Sequence, residues 1–368
     1  MSSNRLSKLQ IAIALVRRIL LLSIWPVVQW KRYFYNRDAL HGKFMVQKKF
    51  LLGLNYPWLN YGTDFGANDW GHNGLSEPNS RLQLERDFSD LQQRGVRVVR
   101  WFLFCDARAG IQINQDGTVK GLDPYVFKDI DVALEIARKH NIMIVFVLFD
   151  FSLLQPAKPT ARKVAAPGHM RAQLGGHREF VTNPKVRQTL FDNVVKPVLQ
   201  RYGNNGAVVA WEVINEPEWV MPMGSSKDTI PVSDMQDFVR QAAQLVHENT
   251  AQVVTVGGAD RRWCSVWKNV GLDFFQFHHY PYMEWYVPYD RPASELGLDK
   301  PVLIGEFPTA ATKRSLTSYL DLALKNGYAG AFPWSYRAQD KYTGWSSVRD
   351  QFSQWVANHK DAITPGDR

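Results

Sequence analysis

Two glutamates stand at the ends of apolar runs, where an ionised side chain is costly unless it has a partner or a task. Glu216 follows Val-Val-Ala-Trp-Glu-Val-Ile-Asn, and Glu306 follows Val-Leu-Ile-Gly. A carboxylate in apolar surroundings must be paired, hydrogen-bonded or protonated. These two residues are therefore the first candidates for a general acid, a general base or a nucleophile.

A pair of such carboxyl groups has a well-defined chemistry. At a separation of about 5–5.5 Å they can cleave a glycosidic bond with retention of configuration, one protonating the leaving oxygen and the other attacking the anomeric carbon. The acid needs a raised pKa, while the nucleophile must stay ionised. We expect Arg100 and Tyr280 to hold the nucleophile charged and oriented, and Asn215 to hydrogen-bond the sugar 2-hydroxyl.

From residue 50 onward, short apolar runs alternate with amphipathic stretches. The runs are apolar on both faces, as expected of parallel strands covered by helices. The predicted strands are Phe50–Tyr56, Val96–Phe104, Ile142–Phe149, Ala207–Ile214, Gln252–Val256, Phe274–His278, Val302–Glu306 and Ala329–Trp334. The predicted helices are Arg81–Gln93, Tyr125–His140, Pro184–Tyr202, Ser233–Asn249, Lys313–Asn326 and Gln351–His359. Left-handed caps are expected at Gly95, Asn141, Gly203 and Gly327, each of which follows a helix.

Eight strands, their crossovers and a closing helix fit an α/β protein with a (β/α)8 TIM barrel. A doubly wound open sheet is the alternative, and it usually carries a glycine-rich phosphate turn after an early strand. The chain has no GxGxxG motif, Walker loop or HExxH motif, so a nucleotide or zinc-protease site has no motif support. Two cysteines are too few for a disulfide framework or a structural zinc site. We predict no cofactor and no metal.

In such a barrel the chemistry lies at the C-terminal ends of the strands. The fourth and seventh strands stand on opposite sides of an eight-stranded ring. Glu216 and Glu306 are therefore expected to face each other across the mouth of the barrel.

Three motifs carry a resemblance to a known group of enzymes. They are Trp-Glu-Val-Ile-Asn-Glu-Pro at 211–217, His-His-Tyr-Pro at 278–281 and Ile-Gly-Glu-Phe at 304–307. In this order and spacing the chain resembles the clan A retaining glycoside hydrolases, closest to family five, the cellulase and mannanase family, over roughly residues 50–360. The resemblance implies Glu216 as acid/base and Glu306 as nucleophile. It also implies a −1 subsite lined by Arg100, Asn215, His278, Tyr280 and Trp334.

Other residues near the strand ends are further candidates for substrate binding. Many family members carry His or Asn after the third strand, whereas this chain has Asp150, either a sugar ligand or one half of a structural pair. Trp58, Trp219 and Trp285 would stack on sugar rings or belong to the core. Three further residues have a purely structural alternative: Arg100 could pair with an acid in the barrel mouth, and Glu212 and Glu218 could be structural residues beside the acid. Because side chains alternate along a strand, one of His278 and His279 should point inward and the other outward.

The positive charge belongs to an N-terminal arm, residues 1–49. The net charge of the chain is +9, and the arm holds ten basic residues and one acidic residue, so residues 50–368, the predicted catalytic domain, are neutral. This distribution argues against a nucleic-acid partner for the barrel. The apolar stretch Ile19–Trp30 is too short to span a bilayer, which needs roughly 20 residues. The arm is predicted to be an export signal or an anchor on an anionic membrane, with a helix packed on the barrel as the alternative.

The connection after the third strand, residues 151–183, is long and basic. It holds Lys158, Arg162, Lys163, Arg171 and Arg178 against Glu179, and it is either a solvated loop or a rim that attracts an anionic glycan.

The sequence as a whole predicts a retaining β-glycosidase that hydrolyses a β-linked oligo- or polysaccharide through a glycosyl-enzyme. A transglycosylase that uses the same two carboxylates is one alternative. A non-catalytic glycan-binding barrel at a membrane is the other.

Overall fold

A ring of eight parallel strands forms the centre of the protein. The computed structural model describes residues 49–68, 74–159, 173–224 and 227–363. In chain order the strands are β1 (Leu51–Leu52 and Leu54–Asn55), β2 (Val98–Phe102), β3 (Met143–Asp150), β4 (Val208–Asn215), β5 (Val253–Gly258), β6 (Phe275–His278), β7 (Val302–Pro308) and β8 (Gly330–Trp334). Each strand pairs with its neighbour in sequence.

The ring closes through β1, which is split at Gly53. Leu51 lies in register with Gly330 of β8, and Leu54 lies in register with Val99 of β2. A Cβ atom at position 53 would lie 2.5 Å from the ring of Phe332, so only glycine fits at this seam. The predicted (β/α)8 barrel is confirmed.

Among the described residues, six helices of ten or more residues cover the outside of the ring, and a single-turn helix, Glu179–Thr182, precedes the third of them. The six are α1 (Pro78–Gln93), α2 (Val126–Lys139), α3 (Pro184–Leu190, a π turn Phe191–Val195, and Lys196–Tyr202), α4 (Val232–Asn249), α5 (Leu316–Lys325) and α6 (Trp345–Asn358). The crossovers after β5 and β6 contain only 3-10 turns, Arg261–Trp267 after β5 and Pro281–Met283 and Ala293–Leu296 after β6. The predicted helices lie within three residues of these bounds except at α6, which begins six residues earlier than expected.

Three of the four predicted left-handed caps are correct. Gly95, Asn141 and Gly327 have φ values of 84°, 52° and 75°. The prediction for Gly203 is wrong, because its φ is −61°. Glycine is required there for a different reason: a Cβ atom would lie 2.4 Å from the carbonyl oxygen of Asn249.

The core has two layers, because the strands are buried on both faces. Inside the ring, Val98, Val145, Val209 and Leu303 pack around Phe332. Outside it, a larger cluster fills the space between strands and helices. This double packing fixes the strands, so the side chains at their C-terminal ends are held on a rigid frame.

Most of the N-terminal arm lies outside the described residues, which begin at Lys49. Its boundary and its predicted membrane or export role therefore stay predictions. Within the described ranges, no helix is long and apolar enough to cross a membrane. The basic connection after β3 is described up to Pro159 and again from Gln173, and the residues between them lie outside the description.

Candidate active site

Arg100 of β2 lies at the centre of the barrel mouth and is completely buried. Its guanidinium donates to Asn55 Oδ1 at 3.0 Å, to Asn215 Oδ1 at 2.7 Å and to Glu306 Oε1 at 2.7 Å. Two further hydrogen bonds of 2.6 and 2.7 Å reach the carboxylate of Glu212. All five N–H groups of the arginine are thus engaged. The side chain is therefore fixed in one position.

Glu212 of β4 is the permanent counter-ion of this arginine. It is fully buried, receives Arg100 in bidentate fashion and accepts a third hydrogen bond from Gln276 Nε2 at 2.7 Å. A Cβ atom at Gly257 would lie 2.1 Å from Glu212 Oε1, so glycine makes room for the pair. Bidentate geometry with satisfied lone pairs is what lets a buried ion pair persist.

Glu306, near the end of β7, is held by two donors. Arg100 binds Oε1, and the Tyr280 hydroxyl donates to Oε2 at 2.5 Å. Burial raises the pKa of Glu306, while His278 and Arg100 act to lower it. Burial and the Glu306 charge raise the pKa of the Tyr280 phenol well above its ordinary value, so the phenol stays a donor.

Glu216 is held in a different way, just beyond the end of β4. Its backbone is left-handed, with φ 45°, and its N–H donates to Gly257 O at 2.6 Å. Trp219 Nε1 donates to Oε2 at 2.8 Å, and His278 Nδ1 lies 2.8 Å from Oε1. Burial raises the pKa of Glu216 to about 7, with Trp219 opposing the rise and Asp150 adding to it. The group therefore keeps its proton to a higher pH than an ordinary glutamate does.

His278 of β6 stands between the two glutamates. Its Nδ1 lies 3.5 Å from Glu306 Oε1 as well as 2.8 Å from Glu216. Burial lowers the pKa of the imidazole to about 4, so the ring is neutral at ordinary pH. One ligand atom from each of these three residues lies within 4.8 Å of the others. The short distance suits a retaining pair of carboxyl groups.

The same three residues have a spacing that could hold a metal ion. However, the Arg100 cation already lies against Glu306, and the Trp219 indole N–H donates a hydrogen bond to Glu216. Neighbouring positive charge and N–H donors disfavour a second cation at these oxygens. The donor set therefore suits proton transfer and nucleophilic attack better than metal binding.

Asn215 and Asp150 form a second hydrogen-bonded pair beside Glu216. Asn215 Nδ2 donates to Asp150 Oδ2 at 2.7 Å, and Ser152 N–H donates to Asp150 Oδ1 at 2.9 Å. With the Asn215 oxygen bound to Arg100, the orientation of the amide is fixed. Burial raises the pKa of Asp150. The pair leaves the second Nδ2 hydrogen of Asn215 available to a substrate.

A cavity of about 260 Å³ opens over these groups. Among the residues that line it are Asp150, Asn215, Glu216, Tyr280, Glu306, Trp334 and Trp58, all expected from the sequence. The sequence did not single out six further lining residues, Tyr61, Phe102, Cys105, Tyr282, Asp340 and Tyr342. Most of these follow the ends of β1, β2, β6 and β8, and that position is the only signal that could have found them.

The structure brings some predicted residues to the site but leaves others outside the cavity. Arg100 and His278 lie beneath it, in contact with its carboxylates, and Trp219 touches Glu216 through its indole N–H. Trp285 is 84% exposed and does not line this cavity, so its role in binding stays a prediction. His279 faces away, with Nε2 2.8 Å from Glu284.

Glu218 and Arg178, for which the sequence also allowed a role outside substrate binding, both have partners within the protein. Glu218 is completely buried and accepts from Trp267 Nε1 at 2.6 Å and from Ala259 N–H at 3.0 Å. Arg178, from the basic connection, pairs with Asp228. Arg162, Lys163 and Arg171 lie outside the described residues, so the predicted anionic-glycan rim stays a prediction.

A closed (β/α)8 barrel with two glutamates facing each other at the ends of β4 and β7 is the architecture of a glycoside hydrolase. The family model described as "Glycosyl hydrolases family 2, TIM barrel domain" matches residues 163–367. This match covers more than half of the chain, and the chain belongs to this family.

Proteins similar to this chain include mannanases. It is 28% identical over 328 residues to the mannan endo-1,4-β-mannosidase of Mytilus edulis, covering 78% of this chain and 83% of the relative. The corresponding enzyme of Cryptopygus antarcticus is 21% identical over 341 residues, with 79% and 81% coverage. The crystal structure of the endo-1,4-β-mannanase from Eisenia fetida has a TM-score of 0.70 and 24% identity, covers 84% of this chain and 91% of that one, and shows the same fold.

These relatives agree with the resemblance to the cellulase and mannanase family. The prediction of a retaining clan A glycoside hydrolase is confirmed. The chain is a glycoside hydrolase.

Proposed function

We propose that this protein is an endo-acting β-1,4-mannanase that works by double displacement, with Glu216 as acid/base and Glu306 as nucleophile. The observation that carries the proposal is the unequal environment of the two carboxyl groups. Glu306 receives hydrogen bonds from a cation and a phenol, which favour its ionised form. Glu216 has a pKa raised by burial to about 7, which favours a proton. This is the division of roles that a retaining glycosidase requires.

In the first half-reaction Glu306 attacks the anomeric carbon. A bond forms between a Glu306 oxygen and that carbon, the glycosidic C–O bond breaks, and Glu216 gives its proton to the leaving oxygen. The Asn215 N–H that points away from Asp150 is available to the 2-hydroxyl of the bound sugar. The product of this step is a glycosyl ester of Glu306 and a free leaving-group sugar.

In the second half-reaction Glu216, now ionised, takes a proton from a water molecule. The water oxygen attacks the anomeric carbon from the face that the leaving group vacated, and the ester bond to Glu306 breaks. Glu306 returns to its carboxylate form beside Arg100 and Tyr280. Two inversions at one carbon give net retention.

The choice of mannan rests on the relatives, whose names specify mannan and endo-1,4 cleavage. The test is hydrolysis of a panel of soluble β-mannan, β-glucan and β-xylan. We expect activity on mannan with a rapid fall in viscosity, as endo cleavage produces, and the anomer of the first product, read by NMR, should be β. Preference for another polymer, or an α product, would overturn the proposal.

The two roles are tested separately with Glu216→Gln and Glu306→Gln. Each should lower kcat by several orders of magnitude while the circular dichroism spectrum is retained. Glu295→Gln is the matched control, because Glu295 is a surface glutamate paired with Arg291. An activated 2-fluoro glycoside should label Glu306 covalently, as peptide mapping would reveal. Labelling of another residue would refute the assignment of the nucleophile.

A further inference from the structure

His279 lies between two residues of the site, His278 and Tyr280, but its side chain points away from the cavity. Its backbone N–H donates to the carbonyl oxygen of Glu306 at 2.9 Å, which joins the end of β6 to the strand that carries Glu306. Its ring is buried, and Nε2 lies 2.8 Å from Glu284 Oε2. Because a carboxylate only accepts hydrogen bonds, Nε2 carries the hydrogen. His279 therefore connects the strand ends of the active site to the loop that follows β6.

Glu284, in the loop after β6, connects His279 to a third segment of the chain. Its Oε1 accepts a hydrogen bond from Arg314 Nη2 at 2.8 Å, and its Oε2 accepts the one from His279. Arg314 follows β7, the strand that carries Glu306. We call these three side chains, His279, Glu284 and Arg314, the Glu284 bridge. The bridge joins the end of β6, the loop after β6 and the loop after β7.

The Glu284 bridge closes a short loop that contains Tyr280. The chain leaves β6 at His279, makes the 3-10 turn Pro281–Met283 and returns at Glu284. Met283 N–H donates to Tyr280 O at 2.9 Å, so the turn begins at the tyrosine itself. The bond between His279 and Glu284 holds the two ends of this turn together. The backbone of Tyr280 is therefore fixed from both sides.

Two aromatic rings pack against the Glu284 bridge. Tyr289 meets the His279 ring edge to face with 5.0 Å between centroids. The Arg314 guanidinium lies 5.7 Å from the Tyr289 ring and 5.5 Å from the Tyr319 ring. Burial acts to raise the pKa of Glu284, but the hydrogen bonds from Arg314 and His279 outweigh it and lower the pKa. Glu284 is therefore an ionised acceptor at neutral pH, and charged hydrogen bonds that are partly shielded from water hold their geometry better than exposed ones.

We propose that Glu284 is a positioning residue, which holds the Tyr280 hydroxyl on Glu306 Oε2 through the bridge. This inference rests on the proposed function, which takes Glu306 as the nucleophile. Glu284 is not among the residues that line the cavity, so its effect is transmitted through the protein. The hydrogen bond from Tyr280 is 2.5 Å long, and a displacement of about 1 Å takes it beyond hydrogen-bonding distance. Errors of this size in the placement of a catalytic group cost up to about 100-fold in rate.

The first test is the variant Glu284→Ala. We expect kcat on a soluble β-mannan to fall about tenfold with little change in KM, because the nucleophile loses a donor while the groups that line the cavity remain. Glu295→Ala is the matched control. The Glu295 side chain lies in the same crossover, is 38% exposed against 39% for Glu284, and also pairs with an arginine. Its partner is Arg291, which is not part of the bridge, so kcat should stay unchanged.

A double-mutant cycle separates this role from a merely structural one. Glu284→Ala is combined with Tyr280→Phe, which removes the hydroxyl that the bridge positions. Because Glu284 acts through that hydroxyl, its replacement should lower kcat by less than about twofold in the Tyr280→Phe background. A residue that only supports the fold lowers kcat by the same factor in both backgrounds. Equal factors would therefore overturn the inference.

Two further variants keep the cycle decisive if Glu284→Ala folds poorly. Arg314→Met keeps much of the packing on the aromatic rings and removes the donor to Glu284, and its loss of kcat should also vanish in the Tyr280→Phe background. Glu284→Gln preserves the bridge, because its amide can accept from Arg314 and donate to the other neutral tautomer of His279, whose pKa burial lowers. We expect it to keep kcat within about threefold of the wild type. An Arg314→Met loss that is equal in both backgrounds, or a Glu284→Gln enzyme as slow as Glu284→Ala, would contradict the inference.

The outcome does not depend on the identity of the glycan. The cycle is scored on whichever polymer of the panel the wild-type enzyme cleaves, so a preference for glucan or xylan changes only the proposed substrate. An active Glu306→Gln variant would refute the proposed nucleophile. Equal losses in both backgrounds, together with an inactive Glu306→Gln variant, would overturn the role of the bridge alone.

Discussion

The hydroxyl of Tyr280 lies 2.5 Å from Glu306 Oε2, on the oxygen that Arg100 leaves free. Each oxygen of the Glu306 carboxylate therefore has one donor: the Arg100 cation binds Oε1, and the neutral Tyr280 hydroxyl binds Oε2. Hydrogen bonds to a charged group contribute about 1.5–3 kcal/mol each. The two donors oppose the rise in the pKa of Glu306 that burial causes, and they stop the carboxylate from rotating.

Replacement of Tyr280 by Phe should weaken this arrangement. We expect kcat to fall about 10- to 100-fold, because the carboxylate loses one donor that favours its ionised form. Tyr282→Phe is the comparison, since its ring stacks parallel to that of Tyr280 and its hydroxyl is not the donor to Glu306. Steady-state kinetics on a β-mannan would decide. A loss in Tyr282→Phe as large as that in Tyr280→Phe would contradict the assigned role.

The pH dependence of kcat/KM should report the proton on Glu216. The proposed acid must be protonated to act, so activity should fall as the pH rises through about 7. Activity should also fall on the acidic side as Glu306 takes up a proton. A dinitrophenyl glycoside needs no protonation of its leaving group, and in Glu216→Ala it should show no alkaline limb. Persistence of that limb would assign it to another group.

Asp150→Asn should move the alkaline limb of this profile to lower pH. Asp150 raises the pKa of Glu216 through its charge, and Asn preserves the hydrogen bond from Asn215. Loss of the negative charge should lower the apparent pKa by about one unit. Asp350→Asn removes a charge from an exposed carboxylate paired with Arg94 and should leave the profile where it is. A shift to higher pH would contradict the electrostatic role.

Glu218 should make the fold less stable as the pH rises. Burial raises its pKa to about 7 in the folded protein, so the folded state binds a proton that the unfolded state has released. This stabilising contribution is complete below about pH 4.5 and is lost as the pH rises through about 7, a loss of about 3 kcal/mol. Glu218→Gln should flatten the fall in the free energy of unfolding between these pH values, measured by urea denaturation. An unchanged slope would refute the linkage.

The barrel and the paired glutamates could be predicted because their signals are local. Runs of β-branched residues specify the strands, and Glu216 and Glu306 follow β4 and the apolar part of β7 directly in sequence. The start of α6 at Trp345 was missed because Thr343-Gly344-Trp345-Ser346-Ser347 has the composition of a turn. Tertiary packing decides that this segment continues into a helix.

The rest of the site depends on contacts between distant parts of the chain. Tyr282, Asp340 and Tyr342 reach the cavity through loop conformations that no periodicity encodes. The predicted left-handed cap at Gly203 was wrong because position 203 requires glycine for another reason. A side chain there would collide with the backbone of Asn249, which is remote in sequence. The link from Arg100 to Glu212 likewise requires three-dimensional proximity, although both residues were recognised as candidates for pairing.

The permanent pairing of Arg100 with Glu212 has a consequence for the whole catalytic cycle. In the proposed mechanism, the two glutamates that line the cavity share a single negative charge, on Glu306 before attack and on Glu216 once the ester has formed. The charge migrates across a few ångströms, past a neutral His278 that touches both positions, instead of appearing or vanishing. Under this mechanism the net charge of the two carboxyl groups is therefore the same before attack and in the glycosyl-enzyme.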